Sequence, residues 1–222
     1  MIPLRSSERL DSRTPVTGVL IALNVLVFLY QVTLPPGGLN RFVLAWGIVP
    51  DQLRLATLLT SMFLHGGWSH LLGNMLFLWV FGRHIENRIG GGRFVAFYLA
   101  CGAASAVVHV IANPYSRLPT IGASGAIAAV MGAYLIKFSR SYIDTLVWFI
   151  FVTRISIPAP YFLIYWLVIQ LFSGIGSLSE TDYTGGGVAW FAHIGGFLAG
   201  MAAIKIFRER APKWRAWYEE DP

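Results

Sequence analysis

One serine lies in a sequence context that could activate it for nucleophilic chemistry. Ser124 follows Gly122 and Ala123, precedes Gly125, and opens an apolar run. The two glycines let the backbone turn sharply and let other helices approach closely. A serine at a helix N-terminus also lies beside unpaired backbone N–H groups, which favour a developing oxyanion. The alternative is a helix-capping serine between two packing glycines.

One histidine, His193, could act as the base for that serine. It belongs to a stripe of small residues at helical spacing, which consists of Ala189, His193, Gly196 and Gly200. A second stripe consists of Ser124, Ala128 and Gly132. Such stripes let membrane helices pack at close range. If the two stripes face each other, His193 can accept the proton of the Ser124 hydroxyl. The alternative is a histidine with a structural role.

A third polar group lies earlier in the chain. His70 and Asn74 are four residues apart, so they share a helix face, and both can donate hydrogen bonds to an oxyanion. His65 lies in the turn before them. These two histidines and the asparagine could also bind a metal. The sequence has no His-Glu-x-x-His pattern and no carboxylate nearby, so we expect neither a metal nor a cofactor.

The composition is that of a membrane protein. Of 222 residues, 55% are hydrophobic and 13% are charged, which is about half the charged share of a soluble domain. A soluble all-α domain of this size could not bury so much apolar surface. The net charge is +6, but most basic residues flank apolar runs. We therefore expect contact with a lipid bilayer and not with nucleic acid.

Six apolar runs predict an all-α fold, a polytopic bundle of six transmembrane helices. The predicted spans are Val16–Val32, His70–Gly82 with an upstream extension Leu58–Leu64, Phe94–Ala112, Ser124–Phe138, Pro158–Phe172 and Val188–Phe207. The chain then divides into an N-terminal segment 1–15, a membrane domain 16–207 and a tail 208–222. The apolar loop Pro35–Thr57 is expected to lie partly in the outer leaflet.

A further apolar stretch, Ile143–Ile157, contains Arg154 and precedes Pro158 and Pro160. An arginine at a helix centre costs about 3 kcal/mol on insertion, and proline disfavours helix in the residue before it. We interpret this stretch as a membrane-surface or re-entrant lead-in to the fifth helix. A seventh span is the alternative.

The basic residues predict the orientation of the chain. With the N-terminus in the cytoplasm, fourteen Lys and Arg residues fall on the inner side, and three, Arg41, Arg54 and Arg117, fall on the outer side. The positive-inside rule favours this arrangement, with both termini cytoplasmic. The expected location is the cell (inner) membrane of a bacterium or archaeon.

Together these motifs resemble the rhomboid family. The resemblance rests on Gly-Ala-Ser-Gly opening one helix, on Ala-His-x-x-Gly-x-x-x-Gly in a later helix, and on His-x-x-x-x-His-x-x-x-Asn in an earlier one. A Gly-x-x-x-Glu-x-x-x-Gly segment runs from Gly82 through Glu86 to Gly90. The resemblance extends from Leu59 to Gly200. It departs from some members at Ala56-Thr57, where they carry Trp-Arg.

The resemblance implies a rhomboid-like bundle with the activity of an intramembrane serine endopeptidase. Ser124 matches the nucleophile and His193 the base. The implied catalytic residues are Ser124, His193, His70 and Asn74, and the supporting residues are His65, Gly122, Gly125 and Gly196. His70 and Asn74 match oxyanion donors. The implied partners are membrane-protein substrates with a transmembrane segment, cut near its outer end.

Some expectations concern residues outside this set. Trp166 and Gln170 would border the substrate entrance, and Glu86 would pair with Arg83 or Arg88. Two other functions stay open: a rhomboid-like pseudoenzyme that binds membrane clients, and a small transporter, since broken helices also build ion sites. The intact serine and histidine favour a protease over a pseudoenzyme.

Overall fold

The computed structural model describes residues 1–148, 152–177 and 189–210, and over these residues the chain is mostly helical. The α-helices are α1 (Pro15–Thr33), α2 (Pro36–Trp46), α3 (Thr57–Thr60), α4 (Trp68–Phe77), α5 (Arg83–Ile89), α6 (Gly91–Ala112), α7 (Ser124–Lys137), α8 (Ala159–Ser177) and α9 (Trp190–Ala203). The strands are β1 (Ile2–Ser6), β2 (Tyr142–Trp148) and β3 (Val152–Pro158). A π-helical turn, Leu78–Gly82, joins α4 to α5.

Each of the six predicted spans overlaps a helix, although the fifth was predicted to begin at Pro158, which belongs to β3, and the sixth extends beyond the end of α9 at Ala203. Two of these helices, α1 and α6, are long and apolar enough to cross a membrane, whereas the apolar segments Ser124–Lys137, Ala159–Phe172 and Trp190–Ala203 are shorter. The number of spans stays a prediction. The upstream extension Leu58–Leu64 does not continue into α4, because the chain is extended at Leu64 and at Gly67. Two consecutive glycines, which are poor helix formers, mark this break.

The fold is not all-α, because it contains a three-stranded antiparallel sheet in the order β1-β2-β3. Strands β2 and β3 occupy the stretch that was predicted to lie at the membrane surface or to cross it. Ile143 pairs with Ile157, and Leu146 pairs with Arg154. Ile143 and Thr145 are buried, while Asp144 between them is partly exposed. This period of two is that of a half-buried strand, and the overall apolar character of the stretch obscured it.

The N-terminal segment belongs to the same sheet. Strand β1 pairs with β2, and Asp144 of β2 accepts hydrogen bonds from Arg5 at 2.7 Å, from Arg154 at 2.5 Å and from the Ser156 hydroxyl. These hydrogen bonds, first from Ser156 and then from the two arginines, lower the pKa of the Asp144 carboxyl well below its usual range. Arg154 therefore has an ionic partner in the sheet and needs no place inside a helix.

Helix α7 forms the centre of the bundle, since ten consecutive residues from Gly125 to Tyr134 are buried. Helix α9 packs against it backbone to backbone. A Cβ atom added to Gly196 would overlap the carbonyl oxygen of Gly125, and one added to Gly200 would overlap that of Ala129. Glycine at these positions is therefore required by the close approach of the two helices.

The face that α7 turns to α9 differs by one residue from the prediction. The contacting stripe is Gly125, Ala129 and Gly132, and the predicted stripe was Ser124, Ala128 and Gly132. The α9 stripe was predicted correctly at Gly196 and Gly200. Because one residue corresponds to about 100° around a helix, this difference leaves Ser124 beside the contact and not inside it.

The N-terminus of α1 is held by a carboxylate from another helix. Its N-cap residue, Thr14, makes no side-chain capping hydrogen bond. Instead Glu86 of α5 accepts hydrogen bonds from the backbone N–H groups of Val16 at 2.9 Å and Thr17 at 2.7 Å, and from the Thr17 hydroxyl at 2.7 Å. The buried carboxylate satisfies two unpaired N–H groups and faces the positive end of the helix dipole.

The expected pairing of Glu86 with an arginine was wrong. Arg83 lies over the ring of Trp79, at 3.9 Å from its centroid, and Arg88 forms an ion pair with Glu209. Local packing and backbone conformation explain why the two end positions of the Gly-x-x-x-Glu-x-x-x-Gly segment are glycines. A Cβ on Gly82 would lie 2.8 Å from Leu78, and Gly90, where α5 ends, has a φ of +87°.

Candidate active site

The structure brings Ser124 and His193 into hydrogen-bonding contact. The Oγ atom of Ser124, the first residue of α7, lies 2.7 Å from Nε2 of His193 on α9. On the other side of the imidazole, Nδ1 lies 2.6 Å from Oε1 of Gln170 on α8. Two tryptophan rings flank the imidazole, that of Trp166 at 5.7 Å and that of Trp190 at 6.1 Å between centroids. Three helices thus contribute to one polar chain.

The turn before α7 exposes the serine hydroxyl. Gly122 has a φ of +129°, a conformation that favours glycine, and its N–H donates to the carbonyl oxygen of Ser61 at 2.9 Å. A Cβ on Gly122 would lie 2.8 Å from the His70 ring. The glycine is therefore needed both for the turn and for the close approach of His70 to Ser124.

His70 presents an N–H group to this turn. Its Nδ1 accepts a hydrogen bond from the backbone N–H of Gly66 at 3.3 Å. An Nδ1 atom that accepts leaves the proton of a neutral imidazole on Nε2. Nε2 is among the ring atoms that lie against Gly122, two residues before Ser124. The ring thus offers a donor beside the serine without carrying a formal charge.

Asn74 lies one helical turn further along α4. Its side chain is buried, and its Nδ2 group has no hydrogen-bond partner among the described residues. An unpaired buried donor costs about 1–3 kcal/mol. Asn74 lines the same cavity as Ser124 and His70. Its amide is therefore a donor available to a bound ligand.

His65 lies behind His70 and does not reach the serine pair. Its backbone is clamped by the amide of Gln31 on α1, which donates to the His65 carbonyl at 3.1 Å and accepts from its N–H at 3.0 Å. Its ring meets the His70 ring edge to face, with 5.0 Å between centroids. Within the described ranges, no three His, Cys, Asp or Glu side chains converge as a metal site.

Two positioning contacts were not predicted as such from the sequence. Ser105 of α6 donates its hydroxyl to the carbonyl oxygen of Ala192, the residue before His193, at 2.7 Å. Gln170 had been assigned to the substrate entrance, and its bond to His193 was missed. A polar residue within a long apolar run is a signal that could have marked both, since such residues usually have a specific partner.

The site opens into a cavity of about 740 Å³. Its lining includes glycines and small polar residues of the turn before α4 and of the loop before α7. It also includes the large side chains of Phe77, Ile127, Met131 and Trp166. A hydroxyl hydrogen-bonded to an imidazole, beside two neutral donors and a helix N-terminus, is an arrangement suited to acyl transfer.

Comparison with known proteins gives the family. The Rhomboid domain family matches residues 52–210, so the chain belongs to the rhomboid family, a family of integral membrane proteins that includes serine proteases. The match includes every site residue predicted above. It excludes β1 and α1, which the sheet and the Glu86 cap connect to the matched region.

Three curated proteins illustrate the similarity. The chain is 37% identical over 124 residues to Rhomboid protease GluP of Bacillus subtilis (strain 168), covering 54% of this chain and 24% of that protein. It is 30% identical over 144 residues to RHOMBOID-like protein 5 of Arabidopsis thaliana, covering 65% and 41%. It is 28% identical to the mitochondrial Presenilin-associated rhomboid-like protein of Homo sapiens, covering 94% and 54%.

The chain thus spans about half or less of the length of these relatives. One is bacterial, one is from a plant, and one is a human mitochondrial protein. These relatives therefore do not support the expectation of a bacterial or archaeal membrane. The assignment to a membrane, without a named organism, follows from membership of the family.

Proposed function

We propose that this chain is an intramembrane serine endopeptidase that cleaves transmembrane segments of other membrane proteins. The observation that carries the proposal is the 2.7 Å contact between Ser124 Oγ and His193 Nε2, at the first residue of a buried helix. A hydroxyl is a poor nucleophile until a base takes its proton. The contact supplies that base.

In the first half of the reaction, the Ser124 oxygen attacks the peptide carbonyl carbon while His193 Nε2 takes the hydroxyl proton. The negative charge develops on the former carbonyl oxygen. The donors placed to receive it are the Ser124 N–H at the helix N-terminus, the His70 Nε2–H and the Asn74 amide. The Asn74 amide and the helix N-terminus need no rearrangement, because they are unpaired beforehand.

In the second half, His193 donates its proton to the leaving amine and the C–N bond breaks, leaving an acyl ester on Ser124. Water enters, loses a proton to His193 and attacks the ester. The products are the acid and the free serine, and the proton returns from His193 to Ser124. No cofactor takes part in these steps.

The length of α7 supports a reaction below the membrane surface. Its 14 residues span about 21 Å, less than the roughly 30 Å of a bilayer's hydrocarbon core. A helix that ends near one face therefore begins inside the apolar layer, with Ser124 at the bottom of a cavity. We place the cavity on the outer side, with six spans and both termini in the cytoplasm, from the distribution of basic residues.

Covalent labelling tests the dyad. Purified wild type, Ser124→Ala, His193→Ala and the control Ser69→Ala are incubated with a fluorophosphonate, and the adduct is located by mass spectrometry. We expect labelling of wild type and Ser69→Ala on Ser124 and its loss in the other two. Ser69 is the matched control because it lines the same cavity. An adduct on another serine, or full labelling of His193→Ala, would refute the mechanism.

Cleavage separates the protease from the pseudoenzyme. The same proteins in liposomes are given a panel of single-span substrates, and products are sequenced. Cleavage within the span by wild type and not by Ser124→Ala supports the proposal. A folded wild type that neither labels nor cleaves supports a client-binding role. Flux of a small solute that survives Ser124→Ala would support the transporter.

A reporter fusion tests the orientation. A reporter that is active only outside the cytoplasm is fused after Pro222, and a second fusion is made in the loop after α1. We expect an inactive first fusion and an active second one. Activity of both would mean an odd number of spans and would overturn the predicted topology.

A further inference from the structure

The polar chain at the site has a third member, Gln170. Its side chain is buried on α8, one turn after Trp166, and its Oε1 lies 2.6 Å from Nδ1 of His193. The same imidazole contacts Ser124 through its other nitrogen. Among the described residues that line the cavity there is no Asp, Glu, Lys or Arg. An amide thus occupies the place where a carboxylate stands in a Ser-His-Asp triad.

The contact selects one tautomer of the histidine. In this structure the amide turns Oε1, which can only accept a hydrogen bond, toward Nδ1, so in this orientation Nδ1 carries the proton. A neutral imidazole protonated on Nδ1 has its lone pair on Nε2, which can then accept the hydroxyl proton of Ser124. The opposite tautomer would place a proton between the two groups. In a triad protease, asparagine in place of the aspartate favours the wrong tautomer and lowers kcat about 10⁴-fold. That tautomer requires the amide NH2 group to face Nδ1, whereas in Gln170 it is Oε1 that faces Nδ1.

We propose that Gln170 is a positioning residue that holds His193 in the tautomer and ring orientation that the Ser124 hydroxyl requires. The proposal rests on the function proposed above. Gln170 acts through His193 and does not contact the reacting atoms. A neutral partner also suits a site within an apolar layer, because a buried carboxylate would need its own compensating donors or a cation.

The proposal also explains why three helices must meet at one imidazole. The ring is fixed by α8 through Gln170, by α7 through Ser124, and by the flanking ring of Trp166. Within the part of the chain that the structure describes, the titratable groups near enough to act electrostatically on His193 are His70 on α4 and His109 on α6. Neither is bonded to its Nδ1.

The test compares Gln170→Met, which keeps the size and removes the acceptor, with Gln170→Glu, which restores an acceptor. Wild type and Ser124→Ala are measured in parallel, and Ile169→Met, an exposed neighbour on α8, is the control. We expect Gln170→Met to lower kcat about 10- to 100-fold with little change in KM, since a misplaced base costs about that much. Ile169→Met should behave as wild type.

Gln170→Glu should recover most of the lost kcat. Its pH profile should also change, because a carboxylate beside Nδ1 favours the protonated imidazole and moves the acid limb to higher pH. If Gln170 only maintained the packing of α8, we would expect neither the recovery of kcat nor the shift of the acid limb. Gln170→Met with wild-type kcat overturns the proposal, and so does an equal loss in both variants. If Gln170→Met does not fold, an unmoved acid limb in Gln170→Glu overturns it.

A second readout does not depend on activity. The ¹⁵N chemical shifts of a labelled His193 imidazole report which nitrogen carries the proton. In the Ser124→Ala background we expect the Nδ1-protonated form with Gln170 and a mixture of tautomers with Gln170→Met. A single unchanged tautomer in both would refute the positioning role. An inactive wild type with the expected shifts would instead count against the protease while supporting the tautomer assignment.

Discussion

The cavity around Ser124 and the region around Glu86 treat buried polar groups in opposite ways. In the cavity, the Asn74 amide has no partner among the described residues, and the helix N-terminus at Ser124 faces open space. Around Glu86, both carboxylate oxygens accept hydrogen bonds from the first turn of α1. Both regions combine a helix N-terminus with polar side chains from another helix.

The difference shows that a helix N-terminus can either stabilise the fold, as at α1, or leave donors unpaired in a cavity, as at α7. A helix N-terminus favours negative charge. At α1 the chain supplies that charge permanently from Glu86, and the result is a fixed packing of α1 against α5. At α7 no described acidic side chain lines the cavity, and under the proposed mechanism the donors bind the charge that develops on a substrate. Satisfied polar groups stabilise the fold, and unsatisfied ones are retained where function requires them.

Removing the Asn74 amide should have the largest effect on turnover. We expect Asn74→Ala to lower kcat by about 100- to 1000-fold, with little change in KM or in the free energy of unfolding. The control is Asn87→Ala, because the Oδ1 atom of Asn87 on α5 accepts hydrogen bonds from the Ser12 N–H and hydroxyl. That change should lower stability by about 1 kcal/mol and leave kcat unchanged. Steady-state kinetics and unfolding in mixed micelles measure both. Wild-type turnover in both Asn74→Ala and His70→Ala would show that these are packing residues.

Separating α9 from α7 should have the next largest effect. A Cβ at Gly196 would overlap the Gly125 carbonyl, so Gly196→Ala should displace His193 from Ser124 and lower kcat about 100-fold. Gly18→Ala is the matched control, since a Cβ there meets nothing within 4 Å. It should keep full activity and gain up to about 1 kcal/mol of stability. Equal activity of the two variants would mean that the close contact does not position the base.

Replacing Glu86, which caps the N-terminus of α1, should lower the free energy of unfolding and leave kcat unchanged. Glu86→Gln removes the charge and one of the two acceptors at the α1 N-terminus. We expect a loss of about 2 kcal/mol in unfolding free energy and an unchanged kcat per folded molecule. Glu209→Gln is the comparison, because its ion pairs with Arg88 and Lys137 are partly exposed and are worth less than about 1 kcal/mol. A large loss of kcat in folded Glu86→Gln would contradict the division between the two regions.

A change at Asp144 in the sheet should have the smallest effect on the free energy of unfolding, and the size of that effect should depend on pH. The pKa of Asp144 is lowered by Ser156, Arg154 and Arg5, so its ionised form stabilises the fold above the usual pKa of about 4. That contribution should be lost as the pH falls below 4 toward the lowered pKa. Asp144→Asn should therefore be less stable than wild type by about 1 kcal/mol at pH 7, and the difference should shrink below pH 4. A difference that grows with acidity would contradict the assignment.

The sequence predicted the helices better than the sheet for a physical reason. Long apolar runs predict helix by their length alone. The runs that form α1, α6 and α7 were therefore readily assigned as helices. Ile143–Ile157 is apolar as well, and the alternation of more and less buried residues at the start of β2 became meaningful only once β1 was available as a partner. A strand depends on a partner that is distant in sequence, whereas a helix forms its hydrogen bonds within a few residues.

For the site, the residue types of Ser124, His193, His70 and Asn74 and their spacing were sufficient to select them. The sequence did not reveal that Gly125 and not Ser124 lies in the close backbone contact with α9, because a one-residue difference in helix rotation depends on packing. It also did not reveal the partner of Glu86, which lies about 70 residues away on α1.

By itself, then, the sequence predicted the kind of chemistry and indicated the membrane setting, since these predictions follow from reactive side chains, local glycines and total apolar content. The tertiary structure decided which atoms meet. Gln170 reaches Nδ1 of His193 across 23 residues, and Ser124 reaches Nε2 across 69. Such contacts are fixed by how three helices rotate and approach, and the glycines at Gly196 and Gly200 let α9 come close enough to α7.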